Sequence, residues 1–155
     1  MLDECDDSPC ASCASGLPSR RDVLQLLTAG VAIGFVTGVR AGAEARYPVP
    51  AADGVTIDKT AQVIIVRSQG HLYAFNLACP HQNQMLRWLP KESRFQCPKH
   101  ESKYQPNGTF MNGRATRNMD RLAIRVDGPS LVVDVSRMFM SDKDPAGWAA
   151  ATATI

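Results

Sequence analysis

Two short segments hold most of the chemistry available to this chain: Cys79-Pro80-His81 and Cys97-Pro98-Lys99-His100. Each offers one thiolate and one imidazole from a tight turn. Fifteen residues separate His81 from Cys97, so the pattern reads Cys-x-His-x15-Cys-x2-His. Two sulfurs and two imidazole nitrogens make a metal site. A zinc ion could take such a set tetrahedrally, but a zinc finger usually pairs its cysteines in one segment and its histidines in the other. Here both segments are mixed. The chain has three histidines, and chance does not readily place two of them just past a Cys-Pro. His71, the third, is read as a strand residue.

These limbs resemble those of the Rieske iron–sulfur family, whose [2Fe–2S] cluster keeps two cysteines on one iron and two histidines on the other. The resemblance covers residues 61–135 and implies a [2Fe–2S] cofactor held by Cys79, His81, Cys97 and His100. It further implies that Ser102 and Tyr104 stand at the family's hydroxyl positions, donating toward sulfur, and that Lys99 is a nearby cation. Each would stabilise the reduced cluster and raise its potential. Family members in quinol-oxidising complexes usually carry two more cysteines, joined as a disulfide between the loops; those positions read Gln84 and Lys99 here. Gly113-Arg114-Ala115-Thr116-Arg117-Asn118 takes the place of the family's proline-rich third loop, without its prolines.

Irons fully ligated by protein and sulfide leave no open position for a substrate, so the resemblance implies a one-electron carrier with no catalytic residue of its own. The imidazoles are expected near the surface, where their outer nitrogens could hydrogen-bond a quinol and couple proton to electron transfer.

The frame for such a site is an antiparallel β-domain. Val63-Ile64-Ile65-Val66, Leu72-Tyr73-Ala74-Phe75-Asn76-Leu77, Leu122-Ala123-Ile124-Arg125-Val126 and Leu131-Val132-Val133-Asp134-Val135 are short, β-branched or alternating runs bounded by turn residues. Ser68-Gln69-Gly70 and Asp127-Gly128-Pro129-Ser130 read as hairpin connections. The strand-poor stretch 79–121 between the hairpins is too long for a plain loop and is expected to wrap the metal. The fold class is therefore all-β, a Rieske-type antiparallel β-sandwich with a cluster-binding subdomain. One N-terminal transmembrane or signal-anchor helix is expected ahead of it.

That helix is residues 23–39, seventeen positions without a charge, preceded by Ser19-Arg20-Arg21-Asp22. The arrangement resembles a twin-arginine export signal, a route that moves proteins already folded around a cofactor. Seventeen residues span about 25 Å, at the short end of a bilayer's roughly 30 Å hydrocarbon core. The segment is either kept as an anchor or cleaved near Ala41-Gly42-Ala43. Cys5, Cys10 and Cys13 precede it in an acidic tail and read as an exposed segment or part of a second metal site. The expected division is a tail at 1–19, leader and anchor at 20–40, a linker at 41–58, the Rieske domain at 59–138 and a C-terminal tail at 139–155.

At 155 residues, 45% hydrophobic and net charge +2, the chain is one domain with extensions, and no basic stripe interleaved with aromatics argues for nucleic acid. Arg87, Lys91, Lys99, Lys103 and Arg114 fall near the cluster loops, as a solvated face or as a site for an acidic partner such as a cytochrome. The leading expectation is a Rieske subunit of a respiratory or photosynthetic electron-transfer complex, anchored in the bacterial inner membrane with its domain on the periplasmic side. It would work among other subunits, passing electrons from quinol or a partner centre to a c-type cytochrome. The alternatives are the small Rieske subunit of an exported molybdenum oxidase such as arsenite oxidase, a soluble Rieske ferredoxin feeding an oxygenase, and a structural zinc module.

Overall fold

The computed structural model describes residues 43–155. The tail with Cys5, Cys10 and Cys13 and the leader at 20–40 lie outside the described residues. Among the described residues no helix is long and apolar enough to cross a membrane.

The run Val63-Ile64-Ile65-Val66 opens β3 (Val63–Ser68). Successive side chains of a strand point to opposite faces, and all four are at most 2% exposed, so this strand is covered on both sides. That explains its unbroken apolar character. Strand β4 (His71–Asn76) pairs with it through Ser68↔His71. The two residues between, Gln69 and Gly70, have φ of 53° and 75°, the pair of positive angles a type I′ hairpin turn requires. Strands β9 (Arg121–Asp127) and β10 (Ser130–Phe139) form the second hairpin, closing at Asp127↔Ser130. There Gly128 takes φ 56°, and Pro129 follows with its φ fixed negative, the order of a II′ turn.

Two further strands correct the expected linker at 41–58. Strand β1 (Glu44–Pro48) pairs along β10 from Glu44↔Asp134 to Pro48↔Ser130. Strand β2 (Gly54–Asp58) pairs along β3 from Gly54↔Arg67 to Asp58↔Val63. Both are edge strands half-exposed along their length, so their apolar pattern is diluted and only the long-range ladder reveals them. The expected C-terminal tail is corrected likewise. Helix α1 (Pro145–Ala150) starts at Asp144, whose carboxylate accepts from Gly147 N–H at 2.8 Å. It is followed by β11 (Ala153–Thr154), paired to β4. Arg121 clips the segment down by donating to the Trp148 and Asn107 carbonyls at 2.8 and 2.9 Å. Its guanidinium lies 3.7 Å from the centre of the Trp148 ring.

The large sheet runs β1-β10-β9-β4-β3-β2, with β11 also on β4. Between its hairpins, the stretch 79–121 builds a second, four-stranded sheet: β5 (Arg87–Leu89), β6 (Arg94–Gln96), β7 (Lys103–Tyr104) and β8 (Phe110–Asn112). One core joins Val63, Ile65, Leu72 and Ala74 to Leu122, Leu131 and Val133 within the large sheet. The other joins Ile64, Val66 and Phe75 to Phe95 and Tyr104 of the small sheet, and includes Cys79 and Cys97. Pleat alternation on β3 and β4 thus assigns neighbouring residues to different cores. The small sheet stands where the sequence leads one to expect a cluster-binding subdomain.

Candidate metal centre

Two loops with the same backbone construction carry the cysteines. After β4, Cys79 N–H donates to Gln84 O at 2.8 Å and Cys79 O accepts from Asn83 N–H at 2.9 Å. Between β6 and β7, Cys97 N–H donates to Ser102 O at 2.9 Å and Cys97 O accepts from Glu101 N–H at 3.0 Å. In both loops the residue four past the cysteine is left-handed, Asn83 at φ 52° and Glu101 at φ 54°. Asparagine tolerates this region; glutamate holds it against a strain of about 1 kcal/mol. Ala78 bridges to Met85 at the base of the first loop, and Arg87↔Gln96 pairs the strand leaving it to the strand entering the second. The two cysteines therefore stand at equivalent points of adjoining loops.

Cys79 and Cys97 are free thiols, 0% and 1% exposed. Burial pushes the Cys79 thiol up, and the neighbouring Cys97 adds to the rise, so without metal it stays protonated, whereas a bound metal requires thiolates. His81 and His100 are half-buried at the rim, their Nδ1 atoms 3.2 Å apart and their rings at 76°. Burial, then His81, Lys99 and Arg114, hold the His100 imidazole below its usual range, keeping it neutral and fit to be a ligand. Each loop supplies one donor of either kind, yet the fold sets thiol beside thiol and imidazole beside imidazole. Among the described residues no three His, Cys, Asp or Glu side chains gather around one point. This two-and-two division fits a pair of metals with unlike ligands better than a single tetrahedral ion.

Tyr104, fully buried, places its hydroxyl 3.4 Å from Cys79 Sγ. Burial, with Cys79 beside it, holds its pKa far above the usual phenol range, so the hydroxyl keeps its proton and is available to donate once Cys79 is a thiolate. Ser102, also fully buried, accepts from the Arg114 and Ala115 N–H groups at 3.1 and 3.0 Å. With both lone pairs filled, its own O–H remains to donate. Lys99 is exposed. The third loop, 113–118, is brought against the second ligand loop at Ser102. Gly113 makes this approach possible: φ is 118°, and a Cβ there would lie 2.4 Å from Ser102 Cα. Arg117 and Asp120 pin the loop's far end with hydrogen bonds of 3.1 and 2.8 Å. Sequence reasoning missed the two backbone amides on Ser102; the glycine of Asn112-Gly113 was their only signal. Gln84 is exposed like Lys99, and neither position carries a sulfur.

Two antiparallel sheets with buried paired thiols and paired rim imidazoles offer the donor set that an iron–sulfur domain of mixed ligation uses. The model of the Rieske [2Fe-2S] domain matches residues 39–128, more than half of the chain. The chain belongs to the Rieske [2Fe–2S] family, and its cofactor is a [2Fe–2S] cluster. Relatives include the cytochrome b6-f complex iron-sulfur subunit of Chlorobaculum thiosulfatiphilum, 26% identical over 46% of this chain and 40% of that protein. The subunit of the same name from Synechococcus sp. (strain JA-3-3Ab) is 34% identical over 38% of this chain and 34% of that protein. The chain thus matches two-fifths or less of the length of these relatives. Among solved structures, the cyanobacterial plasma membrane Rieske protein PetC3 from Synechocystis PCC 6803 is similar at 25% identity and TM-score 0.44, covering 51% of this chain and 82% of that one.

Proposed function

We propose that this chain is the one-electron Rieske subunit of a membrane electron-transfer complex. Cys79 and Cys97 hold one iron, and His81 and His100 hold the other through Nδ1. The observation that carries the reading is the sorting of donors: buried thiols together in the core, imidazoles together at the rim, with Nδ1 facing Nδ1 across 3.2 Å. When bound, the cluster supplies reversible one-electron exchange. The chain's residues do the rest. The core around Cys79 and Cys97 excludes water from the sulfurs. Tyr104 and Ser102 present hydroxyl protons on the buried side, favouring the more negative, reduced state. His81 and His100 lie half-buried at the rim, and with Nδ1 on iron each has Nε2 left to hold or release a proton in step with the electron and to hydrogen-bond a quinol hydroxyl.

The relatives' membership of cytochrome b6-f complexes supports quinol, or a partner centre, as donor and a c-type cytochrome as acceptor. The uncharged segment 23–39 behind Arg20-Arg21 supports an inner-membrane anchor with the domain, now starting at β1, on the periplasmic side. The soluble ferredoxin reading has one specific observation in its favour, the absence of a loop disulfide at Gln84 and Lys99.

The test is a redox titration of the purified full chain followed by electron paramagnetic resonance, with Cys97→Ser beside it. The family spans about −150 to +300 mV. A reduced-state signal near the top, lost in Cys97→Ser, is expected; a midpoint near the bottom would favour the ferredoxin. A chain that binds zinc and gives no signal would refute the carrier.

A further inference from the structure

We propose that the rim of the centre is a docking surface for an acidic electron-acceptor protein. The partner would seat on Lys99 and Arg114 beside His100 and on the Lys59 and Arg87 walls of the adjoining recess. The proposal rests on the carrier reading and adds the partner's chemistry to it.

Charge around the centre is one-sided. On the large sheet three arginines are neutralised in place, Arg46 by Asp127, Arg67 by Asp53 and Arg125 by Glu44, while Arg121 and Arg137 form no ion pair among the described residues. Lys99 and Arg114 are exposed and form no ion pair among the described residues. Lys99 precedes His100 in the chain, and Arg114 N–H donates to Ser102 Oγ of the same ligand loop at 3.1 Å. Across the two ligand loops and residues 111–116, Glu101 is the one carboxylate.

An open recess of about 540 Å³ runs between the ligand loops from Met85 to Pro98, the residue before Lys99, with Lys59 and Arg87 in its wall and no carboxylate lining it. Met85 is 50% exposed. Met85, Trp88 and Arg87 in its lining are residue types enriched where proteins bind one another. A whole-chain charge of only +2 gives little general attraction to anions. Attraction is therefore local, and it orients a partner with its acidic face toward the imidazole edge from which an electron leaves. Sequence alone could not separate this set from Lys91, which sits in the 3₁₀ turn Pro90–Glu92.

The experiment uses the full chain, reduced and with its cluster verified by electron paramagnetic resonance. It is mixed with ferric cytochrome c in two forms: native, which is cationic, and fully succinylated, which is anionic. One electron passes from the chain to the haem iron, which becomes ferrous, and the readout is the ratio of the two second-order rates. Any change in the chain's own potential enters both rates and largely cancels in the ratio. In low salt the wild-type ratio should favour the anionic form and drop about tenfold in Lys99→Glu/Arg114→Glu, the difference shrinking once the Debye length falls to several ångströms. Arg137→Glu, half that charge change at one position on the large sheet, should leave the ratio within twofold. A normal cluster signal with a ratio that Lys99→Glu/Arg114→Glu moves no more than Arg137→Glu does would overturn the docking surface alone. A chain with no cluster signal would remove the carrier reading and the docking surface together.

Discussion

Tyr104→Phe separates the electronic role of one hydroxyl from the packing of its ring. The side chain is fully buried in the core that holds both cysteines, and its ring packs at 5.8 Å, centre to centre, against Phe110. Phenylalanine keeps that contact and removes the O–H that lies 3.4 Å from Cys79 Sγ. A hydrogen bond to a charged acceptor is worth about 1.5–3 kcal/mol, but only the part that grows when the centre gains an electron affects the potential. At a sulfur distance of 3.4 Å, roughly 1 kcal/mol is a reasonable share, and a one-electron couple changes by about 59 mV for each tenfold, or 1.4 kcal/mol. The midpoint should therefore fall by about 40 mV. Iron content should be unchanged and the melting temperature close to wild type. The assay is an equilibrium redox titration of both proteins in the same buffer, monitored by circular dichroism in the visible region. A midpoint within about 10 mV of wild type, with the cluster intact, would refute the assignment of this hydroxyl as a donor to sulfur. Ser102→Ala is a poorer probe, because it also strands the Arg114 and Ala115 amides and mixes destabilisation with the electronic effect.

Gly113→Ala should destabilise the domain by about 3 kcal/mol, since the new Cβ would collide with Ser102 Cα and the left-handed backbone is already unfavourable. Urea unfolding that stays within 1 kcal/mol of wild type would contradict the close approach of the third loop. Arg121→Met removes the fork that holds α1 and should loosen residues 145–155; faster amide exchange there, with slow exchange retained in β3, is the expected result. Tyr47 is pushed up to about 12, first by burial and then by its bond to Asp58. Below about pH 10 this tyrosine is protonated in both states and its stabilisation is complete. As pH rises toward 12 the unfolded chain ionises first and that stabilisation is lost. Tyr47→Phe should therefore flatten the alkaline fall in stability, and identical slopes for the two proteins in urea would contradict this.

The two central hairpins were legible in the sequence because their determinants are local. Four β-branched residues in a row specify β3, and Gln69-Gly70 and Gly128-Pro129 specify the turns. The fold class followed from these runs, and the donor types of the centre followed from two Cys-Pro segments and their spacing. The small sheet was harder to see, because strands of two or three residues are too short to show a period. Strands β1 and β2 were hidden as a linker for a related reason. Their residues alternate weakly at a sheet edge, and what makes them strands is a partner far along the chain: β10 for the first, β3 for the second. The C-terminal segment did carry a readable start in Asp144-Pro145, a capping residue followed by proline, but its anchor, Arg121, lies more than twenty residues upstream.

The sequence by itself determined which atoms are offered to the metal: two sulfurs and two imidazole nitrogens, one of each per segment. Only the tertiary structure decided how they are sorted. Two loops of the same construction, set side by side by β5, β6 and β7, bring Cys79 to Cys97 in the core and His81 to His100 at the rim. The physical reason lies in the difference between the two kinds of information. Spacing fixes the donors within a loop, while the pairing across loops depends on the ladder of the small sheet and on the burial that draws thiols inward and leaves imidazoles at the surface.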